Sequence, residues 1–331
     1  MEPTKREIAF ARLHEAFRVG DLAEVKKLHA FGDVSVSDVG DEDGGTVLHV
    51  VAPWDDSLDI VQWIISGGYA EACTLDENGH SAIFAALQAD NIKTAKWLAA
   101  EGAVDIHTAV DNENRTLLHI AAGFGNMAAV EWLLFELDPL RITQKDDAGE
   151  TAMFHAVKCG ELEVVKRLHA SGHFPASDTN NHGRTSLFLA VENRECLQYL
   201  LRVNVFPLDW VDDQGSTIWD HVDTGSRYAI PHKVLSDLLL YGEPPPRSSI
   251  HKTHTKEVEM ASSIRTMQQQ RAEITISYIH RSSFGEATTA VPLSRVVASL
   301  AAPTEDELWA LATGGGGSFL GISNGSHVQR L

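Results

Sequence analysis

The chain of 331 residues carries 16 histidines and 3 cysteines, so metal binding, acid–base work and thiol chemistry are the first readings to weigh. His169 and His173 have the i, i+4 spacing that suits a metal on a helix face. Gly172 falls between them and marks a helix end, which puts His173 in a loop. His251 and His254 form an i, i+3 pair in a segment of uncertain helicity. Cys159 sits at a break between two apolar-periodic segments, and its surroundings carry no obvious cation cluster to lower its pKa. Cys73, Cys159 and Cys196 are odd in number and far apart. They form neither a disulfide framework nor a zinc cluster, and they suit a reducing compartment. Glycine patterns for phosphates or dinucleotides are absent, as is a nucleophile elbow. Gly314–Gly317 lacks the Lys-Ser/Thr that would follow in a phosphate loop. Asn114-Arg115-Thr116 and Asn324-Gly325-Ser326 spell glycosylation sequons, read as unused because Met1–Glu7 is polar and no secretory leader is expected. The residues thus assign no catalytic, cofactor or metal site, and the expectation is a non-enzyme.

Charge narrows the partners. The formal net charge is −19, from 46 Asp+Glu and 27 Lys+Arg. Residues 243–331 hold 8 acids and 8 bases, so residues 1–242 hold 38 acids and 19 bases and carry the whole excess. Nucleic acid and anionic membrane both demand clustered Lys/Arg, so neither is an expected ligand. No apolar run approaches the roughly 18 residues of a membrane helix.

The elements that position these residues recur. Thr46-Val47-Leu48-His49 aligns with Thr116-Leu117-Leu118-His119, and with segments starting at Ser81, Thr151, Thr185 and Thr217. The anchors are spaced by 35, 35, 35, 34 and 32 residues, and a degenerate seventh copy, Ala11-Arg12-Leu13-His14, lies one period earlier. Five residues before each anchor stands Asp41, Asp76, Asp111, Asp146, Asn180 or Asp212. Two before it stands Gly44, Gly79, Asn114, Gly149, Gly183 or Gly215. Twenty-one after it comes Gly32, Gly67, Gly102 or Gly172, with Leu137 and Phe206 as exceptions. Residues 20–32 and 160–172 nearly coincide.

Each phase has a physical reason. The Asp-x-x-Gly group reads as a tight turn, Asp bonding nearby amides and Gly taking positive φ. Thr or Ser at the anchor reads as a helix N-cap. The Leu-x-x-Ala-Ala run predicts a short helix with a small-residue face. A second helix follows with apolar residues at helical spacing, as in Met127, Val130, Leu133 and Leu134, and the late Gly reads as its C-cap. On the second helices Trp63, Trp97 and Trp132 fall at core spacing and are expected to be buried.

A turn, Thr-x-Leu-His-x-Ala-Ala, a second helix and a closing Gly resemble ankyrin repeats, best seen in Thr116–Gly125. The resemblance covers residues 5–242. Departures are the missing Pro after Thr, and Phe84, Phe154, Phe188 and Asp220 in place of the His. It implies an all-α solenoid: an N-terminal capping half-repeat over 1–40 and six repeats over 41–242, the last degenerate and capping. It also implies structural roles for Thr46, His49, Thr116, His119, Thr151 and Thr185, with His49 and His119 bonding between repeats. Arrays of this kind bind other proteins on a concave face lined by the turn tips and the ends of the first helices. Transferred by phase, that face carries the acids Glu42, Asp43, Glu77, Glu113, Asp147 and Asp213. It also carries two aromatics, Trp54 and Phe124, placed where solvent is expected. The extra residue in the copy at Trp54 offers the other outcome, in which that ring folds inward.

The expectation is a monomeric interaction module or scaffold that takes a basic segment of a partner protein on an acidic face. It needs no cofactor and resides in the cytoplasm, with the nucleus as a second location. Two variants stay open: an inhibitor masking a basic nuclear-import segment of a transcription factor, and an adaptor recruiting a second machine, such as a ubiquitin ligase, through its tail. The tail, 243–331, begins with Pro244-Pro245-Pro246, which ends the pattern. Within it, 250–272 is a candidate amphipathic helix, 272–279 a weak strand, and 280–331 an expected disordered end with a Gly/Ser-rich spacer at Gly314–Ser318.

Overall fold

In the computed structural model the described residues are 5–223, except 33, 42, 102–103 and 204–207, together with 238, 239, 241, 258, 262 and 266. The chain divides into two units, Met1–Val234 and Leu235–Leu331. In the second, Val258, Ser262 and Thr266 are helical, the Thr266 hydroxyl donating to the Ser262 carbonyl at 2.9 Å. The rest of the tail segments named above, with His251 and His254, lies outside the described residues.

Among the described residues the first unit is helical, apart from its turns and isolated β-bridges at Gly40–Thr46, Val110–Thr116 and Thr179–Thr185 that close them. It opens with a pair, α1 (Lys5–Arg18) and α2 (Leu22–Phe31). A first-helix layer follows: α3 (Val47–Val51), α5 (Ala82–Gln88), α7 (Leu117–Gly123), α10 (Ala152–Cys159), α12 (Ser186–Ala190) and α14 (Ile218–Asp223). Alternating with it, α4 (Leu58–Ser66), α6 (Ile92–Ala100), α8 (Met127–Glu136), α11 (Leu162–Ser171) and α13 (Arg194–Arg202) form the second layer. Neighbours stack within each layer, α3 on α5, α7 on α10, α4 on α6, and α11 on α8 and α13.

Small residues set the approach. Ala86, Ala121, Ala122, Ala156 and Ala190 are fully buried between first helices. Leu48, Ile83, Leu117, Leu118 and Val157 fill the space behind them, and Ile64, Leu98, Leu133, Leu168 and Leu200 enter from the second layer. Each such side chain contributes about 2 kcal/mol on burial, and none is buried by one repeat alone.

Helix ends follow the reading in part. Gly32 and Gly172 cap α2 and α11 in the left-handed region, at φ 76° and 74°. Gly67 ends α4 at φ −82°, and its neighbour Gly68 takes the positive φ instead. Where Leu137 replaces the glycine, the chain turns into an additional helix, α9 (Pro139–Ile142). Asp138 caps it, accepting the amides of Leu140 and Arg141 at 2.9 and 3.1 Å. Asp followed by Pro at the first helical position was the available signal.

Candidate interaction surface

The turns are built by one carboxylate geometry, repeated. Oδ1 of Asp76 accepts the amides of Asn78 and His80 at 2.9 and 2.7 Å. Asp111 does so for Glu113 and Arg115, Asp146 for Ala148 and Glu150, and Asp212 for Gln214 and Ser216, all at 2.8–2.9 Å. Asn180 repeats it with an amide oxygen. These amides have no helical or sheet partner, so the side chain supplies one. The tips then join each other. The backbone N–H of Glu77 donates to Asp43, Asn112 to Asn78, Asp147 to Glu113, Asn181 to Ala148 and Asp213 to His182, at 2.9–3.0 Å. At Gly79, φ is +80° and a Cβ would stand 2.7 Å from the Asn112 nitrogen, so glycine serves both the turn and this close approach.

His49 and His119 bridge repeats, as the resemblance implied. Nε2 of His49 donates to the His80 carbonyl at 2.9 Å, and its Nδ1 accepts the Thr46 amide at 3.0 Å. Nε2 of His119 donates to the Glu150 carbonyl at 3.0 Å, and its Nδ1 accepts the Thr116 amide at 3.1 Å. In His119 the acceptor role of Nδ1 needs the neutral ring. Burial, then the nearby His155, pushes His119 down to a pKa of about 4. Phe84, Phe154 and Phe188 fill the same position by volume, buried. Asp220 keeps part of the polar role, accepting the Thr217 amide and hydroxyl at 2.8 Å.

The anchors stand at helix N-caps, but their hydroxyls make the cap bond in only some of them. Thr46, Ser81, Thr116, Thr151 and Thr185 all have extended cap backbones. Thr46 receives the Leu48 amide at 3.3 Å, and Thr46 and Thr116 each form a capping box with the His three residues on, whereas Ser81, Thr151 and Thr185 make no side-chain cap bond. The hydroxyls of Thr151 and Thr185 are buried without a hydrogen-bond partner. The stacked neighbouring repeat, rather than the cap bond, holds these helix starts.

Sequence reading missed a second set of staples. The Asn91 amide donates to the Ala52 and Trp54 carbonyls at 2.9 and 2.6 Å while its oxygen caps α6 through Thr94. Asn126 donates to Leu87, and Asn193 to Val157 and Lys158. These residues share a phase, 91 and 126 lying 35 apart like the anchors, which was the signal that would have found them.

The surface these elements present has two components. Trp54, just past α3, is 39% exposed, and Phe124, closing α7, is 55% exposed. Trp54 does not fold inward; with Phe10, His14, Val50 and Pro53 it lines a recess of about 550 Å³ beside Asp41 and His49. The tip acids Asp43, Glu77, Glu113, Asp147 and Asp213 are exposed, and Glu42 lies outside the described residues. Glu113 meets Arg115 at 3.3 Å, and Asp147 accepts from Asn114 at 2.6 Å. The turn aspartates below differ from the tips. Burial raises Asp111 and Asp212, but hydrogen bonds from backbone amides and from Arg115 and Arg184 respectively outweigh it, so both are held below the ordinary carboxylate range.

The tryptophan expectation is overturned. Trp63, Trp97 and Trp132 are half-buried, whereas Ile64, Leu98 and Leu133, one residue on, are fully buried. One residue is 100° of helix, enough to move each indole to the flank. Trp63 and Trp97 line an open groove of about 690 Å³ on the second-helix layer, and Lys26 and Lys96 lie 6.0 and 5.9 Å from the Trp63 and Trp132 rings. Neither Cys159 nor Cys196 offers an activated thiolate: burial raises Cys159, and raises Cys196 to about 11. His169 bonds the Tyr199 hydroxyl at 3.0 Å. No described helix is long and apolar enough to cross a membrane.

Known proteins are similar to this chain. A family model described as ankyrin repeats (3 copies) matches residues 13–109, 48–146 and 118–208. An interferon antagonist, OPG039 of Monkeypox virus, is 34% identical over 96 residues, 29% of this chain and 32% of that protein. The B-cell lymphoma 3 protein homolog of Mus musculus is 35% identical over 98 residues, 28% of this chain and 22% of that protein. The matches thus span a third or less of these relatives. The human ASB11 ankyrin repeat domain superposes with a TM-score of 0.55 at 22% identity, covering 70% of this chain and 98% of that one, which shows the shared fold. The repeated turn carboxylates, the histidine bridges between repeats and the family match over most of the first unit agree: the chain belongs to the ankyrin-repeat family, whose arrays are protein-interaction modules.

Proposed function

We propose that this chain is a non-enzymatic interaction module that binds a basic segment of a partner protein across its turn tips and first-helix ends. The observation that carries the reading is the exposure of Trp54 and Phe124 at first-helix ends, the positions that line the binding face of this family, in an array whose tip acids are also exposed. Aromatic anchors ringed by charge are the usual source of binding energy at interfaces, and the −19 net charge favours steering of a cationic partner. Asp43, Glu77, Glu113, Asp147 and Asp213 act as the charged rim in this reading.

A peptide array comparing Lys/Arg-rich, neutral and acidic sequences, probed with the full chain at low and high salt, tests it. The expected result is retention by basic peptides that weakens with salt, and loss of it on combining Trp54→Ala with Phe124→Ala. Equal retention of acidic peptides, or indifference to the double substitution in a protein with an unchanged circular-dichroism melt, sinks the reading.

A further inference from the structure

Two of the buried turn carboxylates are balanced by an arginine that stands four positions after a turn Asp or Asn. One is Arg115 after Asp111, whose Nε lies 2.7 Å from Asp111 Oδ2. Arg184 serves the next such carboxylate from the preceding turn, with Nε 3.0 Å from Asp212 Oδ2. After Asp146 the same position holds a second acid, Glu150. The Asp146 side chain is 6% exposed and Glu150 7%. Among the described residues, the ion pairs of these two acids include no Lys or Arg; the base present is His155, its Nε2 2.8 Å from Asp146 Oδ2. Two buried carboxylates beside one imidazole lack the guanidinium that Arg115 gives Asp111 and Arg184 gives Asp212. Such a pair is costly without a cation.

We propose that Asp146, Glu150 and His155 form a binding site for one divalent cation of the zinc class. One ligand atom from each lies within 4.8 Å of the others. Oδ1 of Asp146 is committed to the amides of Ala148 and Glu150, which leaves Oδ2, here hydrogen-bonded to His155 Nε2 at 2.8 Å, for the ion to take in place of the shared proton. Asn180 donates to Glu150 Oε1 at 3.0 Å and fixes that carboxylate. Five of the six turns have Asp at this phase, and an Asp here would add charge and offer no donor. That is the part an outer-sphere residue plays around a metal ligand. His119 is no ligand, because both its nitrogens are engaged; its ring packs edge-on to His155 at 5.2 Å and limits how that ring can turn. One nitrogen and two carboxylate oxygens suit zinc or cobalt better than magnesium, which prefers an all-oxygen octahedron. His155 is 15% exposed, so the ion has a route in and water completes its shell.

The test uses the full chain stripped with EDTA and desalted, titrated with Zn²⁺ by calorimetry and with Co²⁺ by visible absorption, beside Glu150→Gln, His155→Asn and Asn180→Ala. With 16 histidines present, weaker sites elsewhere are expected in every variant. The assigned site appears as one equivalent present in the parent and at least tenfold weaker in the first two variants. Asn180→Ala should weaken it about tenfold to a hundredfold. Mg²⁺ should not compete. Should the substitutions unfold the chain, the imidazole ¹⁵N resonances of His155 in the parent give the answer, since Nε2 must shift on adding Zn²⁺. Identical isotherms in parent and folded variants, or a His155 resonance that does not move, overturn the proposal.

Discussion

His119→Ala is the sharpest probe of how the repeats hold together. The parent ring is 1% exposed and joins two buried backbone groups, the Thr116 amide in its own repeat and the Glu150 carbonyl in the next. The Glu150 carbonyl keeps the Asp146 amide at 2.9 Å, but the Thr116 amide is left unpaired at about 1–3 kcal/mol and the buried ring site is emptied, so the substitution should remove about 3 kcal/mol, a large part of a typical domain's stability. The acid response supplies a second signature. His119 is lowered from 6.5 to about 4 in the folded chain, so the fold favours the neutral ring. Its contribution is complete above pH 6.5 and is lost as pH falls from 6.5 towards 4. At about 1.4 kcal/mol per factor of ten in proton affinity, that loss is about 3 kcal/mol. The assay is urea denaturation of parent and His119→Ala in EDTA across that range, followed by circular dichroism. The stability gap between them should be widest near neutrality and close towards pH 4. A gap under about 1 kcal/mol at neutral pH, or one independent of pH, would refute the bridging role.

Four further outcomes follow from the packing. Leu118→Ala empties a fully buried site and should cost about 3 kcal/mol by urea denaturation. Gly149→Ala, at φ +75° with a Cβ 2.7 Å from the Asn181 nitrogen, should cost about 2 kcal/mol more than Gly172→Ala at φ +74°, where nothing lies within 4 Å; thermal melts of the pair isolate the contact between turns. Asn91→Ala leaves the carbonyls of Ala52 and Trp54 without this donor and should lose about 2 kcal/mol, read from its denaturant midpoint. A thiol reagent should label exposed Cys73 in the native chain, and reach buried Cys196 only at the rate of unfolding.

Much of this was legible because ankyrin order is written at a fixed period. The turn aspartates, the glycines or Asn114 at positive φ and the histidine bridges all sit where the phase puts them, since each serves backbone groups a fixed distance along the chain. The short helix after Asp138 was equally local and was overlooked. The tryptophans show where periodicity fails. Trp63 and Ile64 both satisfy helical spacing, but only the flanking helices determine which of two adjacent directions is closed.

By itself, then, the sequence determined the repeat, its turns and the excess of acid, because these depend on near neighbours and on composition. The tertiary structure decided how that acid is used. It separates exposed tip carboxylates from buried ones matched to Arg115 and Arg184. It also sets Glu150 and His155 beside Asp146 with Asn180 of the next turn behind them. That set joins two turns and a first helix, and only the stacking of repeats brings them within reach of one another.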